Sequence, residues 1–173
     1  MTLPDLVIEP ARRMDALPSL VLHREVLAEG GTLVSRPEEL QVTLESREAF
    51  IERARTSLSE SFLVARLPGQ RVVGFMEVGV APFVRMAHVG RMLMVVSAAH
   101  RGRGIGTALM SAAIDRARAG GVLTKLSLAV MADNAAGIRI YRSLGFVDEG
   151  RRVGEVRMED GTLRDDLLMA LAL

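Results

Sequence analysis

The chain has 173 residues, of which 49% are hydrophobic and 25% are charged, which argues against a disordered chain and favours a folded protein with a sizeable core. The absence of cysteine excludes disulfides, a thiol nucleophile and thiolate metal ligands, and a net charge of +1 argues against a nucleic-acid-binding protein. No apolar run is long enough to span a bilayer, and the first residues lack a secretory signal pattern, so we predict a cytoplasmic protein without a membrane partner.

The chain shows no internal repeat, low-complexity segment or linker, which predicts a single domain over residues 1–173. Its three histidines, His23, His88 and His100, are far apart in the sequence. No spacing of histidine, aspartate and glutamate residues suggests a metal site, so no bound metal is expected.

The first sixty residues indicate a short strand followed by two helices. Apolar residues recur at roughly helical spacing up to Gly30, a typical helix terminator. Pro18 falls inside this pattern, which indicates that the helix begins near Pro18. Thr43 belongs to a residue type that caps helices, so a second helix is predicted to begin after it. The predicted ranges are 6–9 for the strand and 14–29 and 44–58 for the helices.

A three-stranded antiparallel meander is predicted next. Its first two strands are joined by Pro68-Gly69-Gln70, a turn signal that makes them a hairpin. The end of the third strand, from Met92 to Val96, is apolar on both faces, as expected for a buried central strand. The predicted ranges are 62–67, 71–80 and 86–96.

The remaining chain alternates helices with strands. The strand–helix–strand order places residues 86–96 and 125–130 side by side in parallel through a right-handed crossover. Residues 167–173 are apolar on both faces and must be covered, either by helices of the chain or by a second subunit, and we therefore predict a homodimer. The predicted ranges are 104–119 and 135–144 for the helices and 125–130, 146–158 and 165–173 for the strands.

A glycine-rich corner joins the apolar strand to the helix that follows it. Gly102, Gly104 and Gly106 alternate there with Arg103 and Ile105. Glycine leaves backbone N–H groups accessible because it has no Cβ, and the N-terminus of the next helix adds unpaired N–H donors and the positive end of its dipole. The corner therefore predicts a binding site for phosphate groups.

Several phosphate-binding motifs compete for this corner. A P-loop needs a lysine after its last glycine, but Thr107 follows Gly106. A dinucleotide fingerprint needs a third glycine where Thr107 stands, and it lies nearer the start of its βαβ unit. The pattern Arg/Gln-x-x-Gly-x-Gly/Ala is satisfied by Arg101, Gly104 and Gly106. This pattern resembles the pyrophosphate loop of the GCN5-related N-acetyltransferase family, and a turn that merely joins strand to helix is the structural alternative.

A second motif supports this resemblance. Residues 134–146 contain the family's asparagine, its Ile140-Tyr141 pair and its Leu-Gly-Phe ending, in order and at the expected distance. Asn134 and Tyr141 are seven residues apart and share one helix face. Another face carries Ala136, Ile140 and Leu144, and we predict that this face is buried in the core. The resemblance covers residues 62–172, and one departure is Ala98, where many members have proline.

The resemblance implies an α/β (α+β) fold. It has a single mixed, mostly antiparallel sheet of six to seven strands, with a central parallel pair splayed apart and about four flanking helices. It also implies an enzyme that transfers the acetyl group of acetyl-CoA to a primary amine by direct attack in a ternary complex. The acceptor is left open among a small metabolite, an amino acid, an antibiotic and a protein amino group. A non-catalytic acyl-CoA-binding module is the alternative from another class.

The resemblance also assigns site residues. Backbone groups near Met94 and Val96 pair with the pantetheine arm of acetyl-CoA, and Asn134 binds the same arm. Tyr141 protonates the leaving thiolate, for which a phenol of ordinary pKa near 10 is suitable because it stays protonated at neutral pH. The pyrophosphate is expected on Arg101, Gly102, Arg103, Gly104, Ile105, Gly106 and Thr107.

The general base is less well defined. An attacking amine must be neutral, and Glu77 is a candidate because it lies in the middle of a strand between apolar Met76 and Val78. Its side chain either faces the site as a base or faces outward in a salt bridge. A water chain is an alternative, as are other ionisable residues. These are His88, Glu45 and Asp133.

Overall fold

The computed structural model describes residues 5–31, 33–69 and 71–173. Within these ranges the chain forms seven strands and four α-helices, which confirms the predicted fold class. The strands are β1 (Val7–Pro10), β2 (Ser61–Arg66), β3 (Val72–Val80), β4 (Val89–Val96), β5 (Lys125–Met131), β6 (Val147–Arg157) and β7 (Leu163–Ala172). The helices are α1 (Ala16–Ala28), α2 (Leu44–Thr56), α3 (Ile105–Gly120) and α4 (Ala135–Ser143).

The strands form one sheet in the order β1-β2-β3-β4-β5-β7-β6. All neighbouring strands are antiparallel except β4 and β5, which pair in parallel only over Val89–Arg91 and Lys125–Ser127. Beyond these residues β4 continues along β3, while β5 continues along β7. The two central strands therefore separate toward their C-terminal ends, and the predicted splay is confirmed.

Helices cover both faces of the sheet. On one face α3 and α4 pack over a core that includes Leu109, Met110 and Leu126; we call this the α3 face. On the other face α1 and α2 pack over a second core that includes Ile51 and Phe75, and we call this the α1–α2 face. Each strand thus buries alternate side chains on opposite sides, and most strands of the centre are apolar throughout for that reason.

Local signals explain the helix boundaries. The Thr43 hydroxyl accepts a hydrogen bond from the Ser46 N–H at 3.1 Å, which caps α2 as predicted. Pro18 lies in the first turn of α1, where a missing N–H costs no helical hydrogen bond. Helix α3 ends at Gly121, whose φ of +64° reverses the chain direction.

Two strands begin more than one residue away from their predicted starts. Met86 lies in a 3-10 turn over Val84–Met86, and β4 begins only at Val89. Met86 and Ala87, with which the predicted strand begins, are only half-buried in this turn. β7 begins at Leu163 rather than at residue 165, since the β6–β7 hairpin continues pairing to its turn.

Strand β7 is covered largely by the chain itself. It lies between β5 and β6, so neither of its edges is free. Leu167, Met169 and Leu171 are buried in the α3-face core, whereas on the other face Ala170 is buried and Leu168 half-buried. The apolar sequence of this strand is thus explained without a second subunit, and the homodimer stays a prediction.

Candidate active site

The separation of β4 and β5 opens a cavity of about 560 Å³. Its walls include Met94 and Leu128 from the α3 face, together with Leu93 and Ala129 from the α1–α2 face. Because residues of both faces line it, the cavity passes between the strands from one side of the sheet to the other. Two molecules are thus able to approach the same point from opposite sides.

The end of the cavity on the α3 face is formed by the glycine-rich corner and α4. Gly102 and Gly104 have φ values of +72° and +85°, a region that other residues rarely adopt. Helix α3 starts directly after Gly104, so its first N–H groups have no carbonyl partner within the helix. A Cβ on Gly106 would lie 3.3 Å from Met94 and 3.5 Å from Ile140, and would narrow the cavity. This end therefore suits an anion that approaches the backbone closely.

Side chains of the corner have different surroundings. Ile105 is 1% exposed and packs in the core, so only its backbone is available to a ligand. Arg103 is exposed and does not line the cavity, whereas Thr107 is exposed and does. Arg101 lines the cavity, but its Nη1 lies 2.6 Å from a carboxylate oxygen of Glu29 and its Nε donates to the Val96 carbonyl at 3.0 Å.

Glu29 is a residue that the sequence did not single out. It is the C-cap of α1, 72 positions before Arg101, and it ties the glycine-rich corner to the start of the α1–α2 connection. No local pattern signals such a contact. Met94 and Val96, by contrast, were singled out from the sequence; they line the cavity, on the edge of β4 where β5 no longer pairs with it.

Helix α4 contributes both polar residues of the second motif. The Asn134 side-chain oxygen accepts from the Gly137 N–H at 2.9 Å, so this residue caps α4 while it also lines the cavity. Its amide NH₂ has no hydrogen-bond partner within the described residues. The site therefore offers one side-chain amide donor beside the glycine-rich corner.

The predicted core face of α4 is confirmed only in part, because Ile140 and Leu144 pack against the α3-face core as half-buried residues and Ala136 does not. The helix buries Gly137, Ile138 and Tyr141, whereas Ala136 is exposed and Ile140 is half-buried, and both line the cavity. The face that looked like core covers the gap between the splayed strands. Apolar residues are needed there to line a ligand cavity. Their spacing in the sequence is the same as that of residues in a packed core, so the sequence alone does not distinguish the two.

Tyr141 lies in the wall of the cavity and is 9% exposed. Its ring packs against Phe146, with the ring centroids 6.1 Å apart. Within the described residues its hydroxyl has no hydrogen-bond partner, and burial raises its pKa above the ordinary value. The phenol is therefore protonated at neutral pH and free to donate a hydrogen bond into the cavity.

The candidate bases lie outside the cavity wall. Glu77 is on β3, on the α1–α2 face, directly opposite Leu93, which lines the cavity. Asp133 is exposed and lies 3.2 Å from Arg164. His88 is exposed just before β4, at the end remote from the glycine-rich corner, and Glu45 is exposed in the first turn of α2. Among these residues, Glu77 is the nearest neighbour of the cavity wall in the sheet register.

Glu77, which is half-buried, belongs to an ionic cluster between the sheet and the two helices of the α1–α2 face. Its carboxylate accepts from Arg47 Nη1 at 2.8 Å. Arg47 is 2% exposed and stands over the rings of Phe62 and Phe75, at 5.0 and 5.2 Å from their centroids. Burial raises the pKa of Glu77 more than the Arg47 charge lowers it. The carboxylate is thereby a stronger base than an exposed one.

His23 completes this cluster. Its position leads us to expect that acid destabilises the fold. Burial and the Arg47 charge lower the pKa of His23 to about 4. Between that pH and the ordinary pKa of histidine, the unfolded chain binds a proton that the folded chain does not. The free energy of unfolding therefore falls as the pH drops from the pKa of His23 in the unfolded chain toward its pKa in the folded chain. We expect wild type to lose about 2 kcal/mol more between about pH 7 and pH 5 than His23→Gln does.

Urea unfolding followed by circular dichroism measures this difference. His88→Gln is the matched control, because His88 is exposed. A His23→Gln variant with the same pH dependence as wild type would show that the imidazole is not held neutral.

The described residues show no feature of a metal site or a membrane span. No group of three or more histidine, cysteine, aspartate and glutamate side chains is close enough there to hold a metal ion. None of the helices in the same ranges combines the length and apolar content needed to cross a bilayer.

Sequence comparison gives a family and two characterised relatives. The model of the acetyltransferase (GNAT) family matches residues 31–146. An L-methionine sulfoximine/L-methionine sulfone acetyltransferase of Pseudomonas paraeruginosa is 32% identical over 136 residues, which cover 78% of this chain and 77% of that protein. An L-amino acid N-acetyltransferase of Escherichia coli is 32% identical over 111 residues, which cover 64% of this chain and 68% of that protein.

A solved structure shares the fold and holds the cofactor. The yncA protein of Salmonella typhimurium, determined with its cofactor acetyl-CoA, is 25% identical and superposes with a TM-score of 0.84. The superposition covers 97% of this chain and 94% of that one. On the fold, the two motifs and these matches, the chain belongs to the acetyltransferase (GNAT) family and is an acetyl-CoA-dependent N-acetyltransferase.

Proposed function

We propose that this enzyme acetylates the α-amino group of an L-amino acid or a close analogue of one. The observation that carries the proposal is the cavity that passes through the sheet, with backbone donors at the α3-face end and an apolar opposite end formed by Val26, Leu33, Leu93 and Ala129. An apolar opening suits an acceptor with an uncharged side chain. The names of the two relatives, which act on L-amino acids and on methionine derivatives, support the same substrate class.

The α3-face end is the proposed binding site of acetyl-CoA. Unpaired N–H groups at the start of α3 and in the glycine-rich corner bind the pyrophosphate, and the side-chain NH₂ of Asn134 binds the pantetheine arm together with the free edge of β4. Arg101 acts mainly by holding the corner through Glu29 and Val96. The proposed binding residues are Met94, Val96, Arg101, Gly102, Arg103, Gly104, Ile105, Gly106, Thr107 and Asn134.

Two groups are proposed to move the protons. Glu77, as general base, accepts a proton from the amine nitrogen through a water molecule when that nitrogen attacks the thioester carbon. Tyr141, as general acid, gives its phenolic proton to the sulfur when the carbon–sulfur bond breaks. Glu77 then releases its proton to solvent and Tyr141 recovers one from solvent. The products are an amide and the free thiol of coenzyme A, so atoms and charge balance without a covalent enzyme intermediate.

We further propose that residues 1–173 act as one acetyltransferase domain, in the cytoplasm and as a homodimer. The single sheet from β1 to β7 supports one domain. Exposed Val147 and Val153 on the outer strand β6, at 64% and 82%, are apolar surface that a second subunit is able to cover. Sedimentation at several protein concentrations tests the dimer, and the cytoplasmic location rests on the sequence.

An acceptor screen tests the proposed reaction. The release of free thiol from acetyl-CoA is followed with L-methionine, L-methionine sulfone, a peptide with a free N-terminus and a diamine. Turnover with the amino acids and little with the diamine is the result that the proposal requires. Tight binding of acetyl-CoA with no turnover for any amine would instead favour a non-catalytic acyl-CoA-binding module.

A Gly104→Glu variant tests the location of the cofactor. The glutamate has to adopt the left-handed backbone of Gly104 and places a negative charge beside the unpaired N–H groups of α3, so we expect at least 10-fold weaker binding of acetyl-CoA in calorimetric titration. Gly121→Glu is the matched control: its φ is +64°, it has open space around it, and it lies about 24 Å away at the other end of α3. If Gly104→Glu and Gly121→Glu lost affinity for acetyl-CoA equally, the cofactor would bind elsewhere.

A further inference from the structure

Arg91 lies beside the cavity without a partner among the residues that the structure describes. Arg91 is on β4, two residues before Leu93, and therefore lies on the same α1–α2 face about 7 Å away along the strand. It is exposed, and within the described residues it makes no ion pair and no side-chain hydrogen bond. A free guanidinium thus stands beside the apolar opening through which the acceptor is proposed to enter.

The sheet register gives Arg91 room and a polar neighbour. Its neighbour on β3 is Gly79, which has no side chain, and its neighbour on β5 is Ser127. Arg91 and Ser127 form the last pair before the two central strands separate. The next residues on the same face, Leu93 and Ala129, already line the cavity. A cation and a hydroxyl therefore border the cavity at the point where it opens.

Arg139 also lines the cavity without an ion pair in the described part of the chain, but it lies on α4, over the α3 face where acetyl-CoA is proposed to bind. Three other arginines near the cavity are already engaged. Arg47 is buried and bound to Glu77, and Arg101 is bound to Glu29. Arg164 lies 3.2 Å from Asp133 and donates to the Gly31 carbonyl at 3.4 Å. Arg91 is thus better placed than these three to bind an anion that arrives from solvent.

We propose that Arg91, assisted by the Ser127 hydroxyl, binds the carboxylate of the acceptor and selects α-amino acids over amines that lack a carboxylate. This inference rests on the proposed function. Glu77 is opposite Leu93 and Arg91 is opposite Gly79. The Glu77 carboxylate and the Arg91 guanidinium therefore lie on the same face of the sheet, in residue pairs two positions apart. A zwitterion fits this order, with its amine toward Glu77 and the cavity and its carboxylate toward Arg91. Arginine binds carboxylates with two parallel hydrogen bonds, which gives geometric selectivity as well as affinity.

The test compares an acid with its amide. L-Methionine and L-methioninamide have the same side chain and differ in the group that Arg91 is proposed to bind. The amide's amine is also less basic, which affects wild type and variants alike. For wild type we expect kcat/KM to favour the acid by about 10- to 100-fold, the range for a hydrogen-bonded charge pair. In Arg91→Met we expect KM for the acid to rise by a similar factor with kcat little changed, while kcat/KM for the amide changes by less than about 3-fold. Arg91→Lys restores part of the preference.

Arg118→Met is the matched control, because Arg118 is exposed near the C-terminus of α3, on the opposite face of the sheet, and has no ion pair in the described part of the chain. It should keep the wild-type preference, and acetyl-CoA should bind all variants equally. Equal losses for acid and amide in Arg91→Met, or an unchanged preference, would overturn the role of Arg91. Failure of wild type to acetylate any amino acid would overturn the proposed function itself, and this inference with it.

Discussion

Replacing Tyr141 by phenylalanine is expected to lower kcat by about 100-fold or more, within the range that a general acid contributes. The substitution removes only the hydroxyl, which has no hydrogen-bond partner in the described chain, and it keeps the ring that packs against Phe146. The fold and the affinity for acetyl-CoA should therefore be nearly unchanged. The loss should appear in kcat, because the phenol acts on the leaving sulfur in the transition state rather than on the bound ground state.

Steady-state kinetics with a good acceptor, calorimetric titration with acetyl-CoA and thermal unfolding together measure these effects. Tyr141 is the single tyrosine of a chain that has no tryptophan, so its absorbance titration reports its own pKa without interference. Burial predicts a pKa above the ordinary value. Full turnover in Tyr141→Phe with normal cofactor binding would remove Tyr141 from the acid role.

Replacing Arg47 by methionine is expected to lower the free energy of unfolding by about 2 to 4 kcal/mol, less than the cost of leaving a fully buried charge unpaired because the Glu77 side chain is 28% exposed. Arg47 is 2% exposed, and its loss leaves the Glu77 carboxylate without its cation and removes the contacts over Phe62 and Phe75. Methionine fills much of the same volume, so the lost charge is the main cause rather than a cavity.

The double variant Arg47→Met/Glu77→Gln separates charge from packing. It should recover about 1 to 3 kcal/mol of the loss, because no unpaired charge remains buried. Relative to wild type, the single variant should also regain stability as the pH falls, because protonation of Glu77 removes the unpaired charge. A carboxyl whose folded pKa is raised contributes full stability below its unfolded pKa and loses it as the pH rises through the folded one.

Arg53→Met is the matched control for this prediction. Arg53 is on the same helix, pairs with Glu60 at 2.6 Å and lies 5.0 Å from the centroid of the Phe50 ring, but its side chain is 58% exposed. Its loss should cost less than about 1 kcal/mol because solvent screens the exposed pair. Similar costs for Arg47→Met and Arg53→Met in urea unfolding would mean that the cluster does not behave as a buried ion pair.

The sequence determined the elements whose cause is local. Glycines that require positive φ fixed the corner before α3, and Thr43 and Asn134 cap α2 and α4 through hydrogen bonds that span three residues. The strand–helix–strand order around α3 was sufficient to predict the parallel pair. Such signals depend on neighbours in the chain, so their spacing is visible without any tertiary structure.

Only the tertiary structure decided the contacts between distant residues. Arg101 binds Glu29 and Arg47 binds Glu77, at separations that no sequence period reports. The face of α4 was partly misjudged for the same kind of reason, because apolar residues at helical spacing look alike over a core and over a cavity. The position of Arg91 depends on where β4 and β5 stop pairing, and that point is set by the packing of the whole sheet rather than by either strand alone.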